Sequence, residues 1–266
     1  AIISQVPNQP LYNDLTEDEL ISFTLHNFKN DRDFTWPLLF PMTKSAIRAM
    51  DALQEYSEQK LNRKISGFVI SGASKRGWTT WLTSSQDKRV IAIAPMVIDV
   101  LNMPVNIPYQ KEVWGDYSVQ IEDYVKLGIA QDLQSAEGKD LAVMIDPYSY
   151  RTSLTMPKLI IIGTNDEYWP VDAIKNYIDS IPGDNYISYT PNAGHDLGAV
   201  TAAGGAQHLD CPNARAGRHA HHAVAVIDGA DGAGDMRAVV VVVIPARDAG
   251  AAERPPTVTV HTANHV

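Results

Sequence analysis

Short continuous apolar runs bounded by glycine or proline alternate along the chain with stretches whose apolar residues recur every three or four positions. The first pattern suits strands buried on both faces, and the second suits amphipathic helices. Residues 1–6 read as a short strand that stops at Pro7-Asn8-Gln9-Pro10, where proline cannot continue a ladder. Thr16-Glu17-Asp18-Glu19 has the form of a capping box. It opens a helix whose apolar face carries Leu20, Phe23 or Thr24, and Phe28. His26 lies on that helix with no acid or second histidine near it in sequence, so it reads as structural. Trp36-Pro37 and Pro41 mark a loop, and residues 42–60 form a second helix with Ile47, Met50 and Leu53 at helical spacing.

The densest signal is the stretch 66–77. Phe68-Val69-Ile70 runs into Gly72-Ala73-Ser74, and a helical pattern with Trp78, Trp81 and Leu82 follows at once, ending near Gln86-Asp87. A strand that reverses into a helix at Gly-x-Ser is a nucleophile elbow, with the serine at the apex of the turn. Glycine is required two residues earlier because a side chain there would collide with the start of the helix. Residues 90–95 are a buried strand, so two strands flank a helix in the manner of a parallel βαβ unit. Residues 99–155 lose that rhythm and are rich in proline and aromatics. They read as an insertion over the C-terminal edge of the sheet, with one amphipathic stretch at 119–129. The rhythm resumes with a strand at 156–163, a helix at 171–180, a strand at Asn185–Thr190 and the loop Pro191-Asn192-Ala193-Gly194-His195. The predicted class is α/β: a mostly parallel sheet with helices on both faces, its N-terminal strands missing.

Composition narrows the functions. The 266 residues carry a formal net charge of −9, which disfavours nucleic acid and anionic membrane surfaces as partners. A lone Cys211 rules out an intramolecular disulfide, and no run of about 20 apolar residues is present to span a bilayer. Ala1-Ile2-Ile3-Ser4 has no basic region, so no signal peptide is visible, and the missing initiator Met reads as a processed or partial chain. Past Gly198 the composition shifts to Ala, Gly, Val and His, and six of the eight histidines lie there. Arg218-His219-Ala220-His221-His222 has no carboxylate or cysteine at ligand spacing, so no metal site is assigned. The chain divides into a hydrolase-like domain at 1–197 and a tail at 198–266 that is expected to be poorly ordered or foreign to the rest.

Three residues follow predicted strands at the edge where parallel sheets bind ligands: Ser74, Asp166 and His195. Their order along the chain is that of α/β-hydrolases. Serine needs a base to take its proton, which His195 would supply while Asp166 orients the imidazole. Asp99, past the strand at 90–95, is the rival acid, and Glu167 is a weaker one. The Lys75 N–H would serve in the oxyanion hole. Tyr168, Trp169 and Trp114 are candidates for the substrate pocket, and the chemistry requires no cofactor. Two features are unusual. Arg76 stands where Gly-x-Ser-x-Gly places its second glycine, which is delayed to Gly77. The loop that carries the second oxyanion donor is also expected to be lost with the missing strands, and the Lys75 ammonium would compensate in part.

Several segments are similar to the PhoPQ-activated pathogenicity-related family. They are Gln5-Val6-Pro7-Asn8-Gln9-Pro10, Thr16-Glu17-Asp18, Leu39-Phe40-Pro41-Met42-Thr43-Lys44-Ser45-Ala46, Gly72-Ala73-Ser74-Lys75-Arg76-Gly77-Trp78-Thr79-Thr80-Trp81, and Asp146-Pro147-Tyr148 through Tyr150-Arg151. The resemblance covers about residues 1–197, and the elbow also resembles, more weakly, that of glucuronoyl esterases. It implies an α/β-hydrolase fold, export from the cell, and a serine-hydrolase triad onto which Ser74, Asp166 and His195 map. The family also holds a secreted proliferation repressor of social amoebae. Two functions are therefore expected: a serine hydrolase acting on a small-molecule or peptide substrate, or a secreted signalling protein that engages a cell-surface receptor without needing catalysis. A third outcome, an inactive partial product, follows from an exposed parallel edge.

Overall fold

The computed structural model describes residues 1–197 and the strand Val239–Pro245. Its elements in chain order are β1 (Ile2–Ile3), α1 (Glu17–Asp31), α2 (Leu39–Leu61), β2 (Ile65–Ala73), α3 (Lys75–Gln86) and β3 (Val90–Met96). The insertion contributes α4 (Met103–Trp114), α5 (Glu122–Lys126), α6 (Ile129–Asp132) and α7 (Ala136–Ile145), and the chain continues with β4 (Lys158–Gly163), β5 (Asn185–Thr190) and β6 (Val239–Pro245).

The sheet order is β1-β6-β2-β3-β4-β5. β2, β3, β4 and β5 run parallel, each strand beside the next in sequence. This is the mostly parallel sheet of an α/β-hydrolase-like fold. The edge of β2, expected to stand open, is paired antiparallel by β6, from Ile65 opposite Pro245 to Gly72 opposite Val239. The first predicted strand shrinks to the two residues of β1, which pair with the far side of β6. The rest of the tail, including Cys211 and the histidine run at 218–222, lies outside the described residues.

Alternation along the strands divides the core. Phe68 and Ile70 of β2, Val90 and Ile93 of β3, and Ile160 and Ile162 of β4 join one large cluster with residues of α1, α2, α3 and the insertion. The opposite face carries two small clusters, around Val69 with Ala94 and around Ala73 with Met96 and Val97.

Two predicted elements take other forms. The helix expected at 171–180 is a pair of 3-10 turns, Ala173–Asn176 and Ile178–Ser180, separated by Tyr177 at φ −146°. Thr16 makes no capping hydrogen bond. Gln9 takes over that role, its Oε1 accepting the Glu17 N–H at 2.9 Å. Glu17 itself has a φ of 50°, and its carboxylate accepts both terminal nitrogens of Arg76 at 2.5 and 2.8 Å. Lys75 pairs with Asp18 at 2.7 Å and with Glu17 at 3.2 Å. The acidic first turn of α1 therefore neutralises the two cations that open α3. The segment before α1 joins this network through Gln9.

The Arg76 side chain is 2% exposed, so its charge depends on that pairing. Burial opposes ionisation of Glu17, but the Arg76 hydrogen bond and the charges of Arg76 and Lys75 outweigh it and hold the carboxyl at about 2. A depressed carboxyl stabilises the fold above its unfolded value and loses that contribution as pH falls. Glu17→Ala is expected to cost about 3 kcal/mol at pH 7 by urea denaturation, because it strands a buried guanidinium. The difference from the parent protein should shrink as pH falls from 4.5 toward 2.

Candidate active site

Ser74 sits at the turn between β2 and α3 with φ 53° and ψ −123°, a strained conformation for a residue with a side chain. The turn closes because residue 72 is glycine. A Cβ there would lie 2.5 Å from the Arg76 carbonyl oxygen. Gly77 is needed on the other side of the same contact, since its Cβ would meet the Gly72 and Met96 carbonyl oxygens at 2.9 and 3.0 Å. The delayed glycine thus lets α3 lie close on the sheet, while Arg76 is free to pair with Glu17. At the start of α3 the positive end of the helix dipole faces the serine.

The other two predicted residues arrive on neighbouring loops. Asp166 follows β4 and His195 follows β5, and a Cβ on Gly163 would lie 2.5 Å from the carbonyl oxygens of Ala193 and Gly194. Glycine there allows the two loops to touch, and Asn165 N–H donates to Ala193 O at 2.9 Å. His195 Nε2 lies 2.8 Å from Ser74 Oγ. His195 Nδ1 lies 2.9 and 3.0 Å from the two Asp166 oxygens. Asp166 also accepts the Tyr168 N–H at 2.8 Å, which orients the carboxylate. Donation from Nδ1–H to Asp166 leaves Nε2 as an acceptor for the serine hydroxyl.

The rival acids occupy different places. Glu167 accepts the backbone N–H of His195 at 3.2 Å and so fixes the loop rather than the ring. Asp99 is wholly buried and its carboxylate forms no hydrogen bond of ordinary geometry, although the Tyr177 hydroxyl lies close. Burial pushes Asp99 up to about 7, against the opposing pull of Tyr177 and the Ile174 N–H.

Tyr168 stacks on the His195 imidazole, with centroids 3.9 Å apart. Tyr168 and Trp169 line a cavity of about 60 Å³ that also includes Ser74 and Lys75. Trp114 is 43% exposed at the end of α4 and forms no part of that wall. The Lys75 ammonium, expected to aid the oxyanion, is engaged by Asp18 and Glu17, and Tyr124 donates to Asp18 at 2.9 Å.

Asp146 escaped the sequence reading as a site-builder. It accepts the N–H groups of Asn102 at 3.2 Å, Met103 at 2.7 Å and Tyr148 at 2.9 Å, and so caps α4 from across the insertion. Gln110 and Ser118 tie the insertion to the acid loop by donating to the carbonyls of Tyr168 at 2.9 Å and Glu167 at 2.6 Å. Apart from the Tyr148 bond, spacing could not have revealed them, because the partners are more than 40 residues apart. Among the described residues no group of histidine, cysteine, aspartate and glutamate is placed to hold a metal ion.

A family model described as PhoPQ-activated pathogenicity-related protein matches residues 1–207. The autocrine proliferation repressor protein A of Dictyostelium discoideum is 36% identical over 203 residues, which are 73% of this chain and 41% of that protein. The chain therefore spans less than half the length of this curated relative. Among solved structures, an acetyl xylan esterase from Paenibacillus sp. R4 is 14% identical with a TM-score of 0.46, over 60% of this chain and 49% of the other. A membrane phospholipase A described as a bacterial virulence factor is 15% identical with a TM-score of 0.38, over 59% and 56%.

Asp99 yields a pH test with a definite sign. A carboxyl raised in the folded state keeps its proton where the unfolded chain has lost it, so stability falls as pH rises through that window. Asp99→Asn should gain stability relative to the parent protein between pH 4 and 7, and the gain should level off above. Paired thermal melts across that range would check it, and a difference independent of pH would refute it.

Proposed function

Since the chain belongs to the PhoPQ-activated pathogenicity-related protein family, we propose that it is a serine hydrolase of carboxylic esters or amides. The observation that carries this reading is the continuous run of contacts from Ser74 Oγ through His195 to the Asp166 carboxylate. In the first step Ser74 Oγ bonds to the substrate carbonyl carbon while His195 Nε2 takes the hydroxyl proton. The carbonyl oxygen becomes an oxyanion facing the N-terminus of α3, where the Lys75 N–H donates to it. The bond to the leaving group then breaks, and that group takes the proton from His195. Water repeats the sequence on the acyl-enzyme, releasing the acid and restoring the serine. Asp166 holds the tautomer and stabilises the imidazolium, while the Tyr168 ring packs against it. The substrate is a small molecule or a peptide, and no cofactor enters any step.

The likeness to the Dictyostelium repressor supports a second reading, in which an exported protein with this fold signals through a cell-surface receptor. In that case Ser74→Ala would leave proliferation-repressing activity intact.

A fluorophosphonate probe is expected to label the native protein, and Ser74→Ala should abolish labelling. Asp166→Asn should lower ester turnover by about 10⁴-fold, the scale of a lost triad orienter. Asp99→Asn should leave turnover within a few-fold of the parent. Absence of labelling on the native protein, or equal losses in the two aspartate variants, would count against the proposal.

A further inference from the structure

The insertion encloses a cavity of about 60 Å³ beside the nucleophile, and its wall is apolar over nearly its whole extent. Trp78 of α3, Met103 and Ile107 of α4, Ala130 of α6 with Leu133 just after it, and Ile145 of α7 supply much of that wall. The polar side chains at its boundary are already partnered. Asp18 is held by Lys75 and Tyr124, and burial together with the Asp18 charge raises Tyr168 above its ordinary value and keeps it neutral. A charged group entering here would give up its hydration without gaining a free partner.

The position of the cavity identifies which half of a substrate it takes. Ser74, Lys75 and Tyr168 belong to its wall, whereas His195 does not. Tyr168 lies between, stacked on the imidazole. His195 must reach the leaving group to protonate it, so the leaving group lies on the imidazole side of Tyr168. The part in the cavity is then the part that remains bonded to Ser74. Size sets the rest. The open space of about 60 Å³ well exceeds what a single water needs, so a short apolar chain fits there.

Resting on the hydrolase reading above, we infer that this cavity is an acyl pocket, and that the substrates are esters or amides of short, uncharged aliphatic acids. Trp78, Ile107 and Ala130 set the chain length. The leaving group is left unrestricted by this pocket.

The test is a series of p-nitrophenyl esters from acetate through butyrate and hexanoate to decanoate, run on the full chain. kcat/KM should peak at butyrate or hexanoate and fall at least about 10-fold at both acetate and decanoate, since each unmatched methylene in an apolar pocket costs about that factor or more. The same peak should persist when 4-methylumbelliferone replaces p-nitrophenol. A succinate half-ester should react at least about 10-fold more slowly than butyrate. Ala130→Leu should lower the hexanoate-to-acetate ratio by about 10-fold. Ile107→Ala should move the peak to longer chains, so the pair stays informative if one variant does not fold. Thermal melts identify folded variants. A flat profile, a peak at decanoate, or a profile that follows the leaving group would overturn the acyl pocket while leaving the hydrolase intact, provided the fluorophosphonate still labels Ser74. Loss of that labelling in the native protein would bring down both.

Discussion

The rest of the site depends on one close contact, the backbone of Gly72 against the first turn of α3. No side chain fits between them, for a Cβ would stand 2.5 Å from the Arg76 carbonyl oxygen. That approach forces the chain to turn back within the span of Ser74, and the strain appears as a φ of 53° on a residue with a Cβ. The turn lifts the hydroxyl above the strand ends and directs the first N–H groups of α3 toward the same space. It also sends Lys75 and Arg76 back toward α1, where two cations would be costly without partners. Glu17 and Asp18 meet them, and a Gln9 side chain holds Glu17 in turn. A buried ion pair of this kind contributes little net stability against an apolar alternative, but it fixes where α1 lies against the elbow.

A second close approach, at Gly163, brings the acid loop against the histidine loop. Once the two loops touch, the remaining bonds are short-range. Asp166 takes the Tyr168 N–H and the imidazole, while Glu167 takes the His195 N–H. Tyr168 then serves two surfaces, stacking on the imidazole with one face and bordering the apolar cavity. The insertion that closes this cavity contains two prolines within α4, at 104 and 108, and yet is firmly placed. Asp146 caps its helix, and Gln110 and Ser118 bond to the acid loop. Chemistry and pocket are thus built from one hydrogen-bonded unit.

The strands at the centre of the sheet were legible because each is a continuous apolar run with glycine or proline at its end. The elbow was legible for the same local reason, and so were the loops that carry Asp166 and His195. Less local features were misread. Thr16-Glu17-Asp18-Glu19 has the spacing of a capping box, but Thr16 makes no capping bond, and Asp18 and Glu17 meet cations 57 and 59 residues away. The stretch 171–180 has helical composition, yet Pro170 and Pro182 bound it and Tyr177 leaves helical φ. The valine run in the tail gave no hint of its partner, because a uniform run fits any open strand edge equally well.

The sequence by itself determined the periodicities, the tight turns and the chain order of serine, acid and histidine, since these rest on sterics among neighbouring residues. Which carboxylate faces the imidazole was a tertiary decision. Asp99 and Asp166 both follow strands, and only the packing of the β4 and β5 loops separates the one that faces the imidazole from the one that is buried away from it. The shape of the cavity was decided in the same way, since apolar side chains from α1, α3, α4, α6 and α7 meet there and no local pattern records the volume they leave.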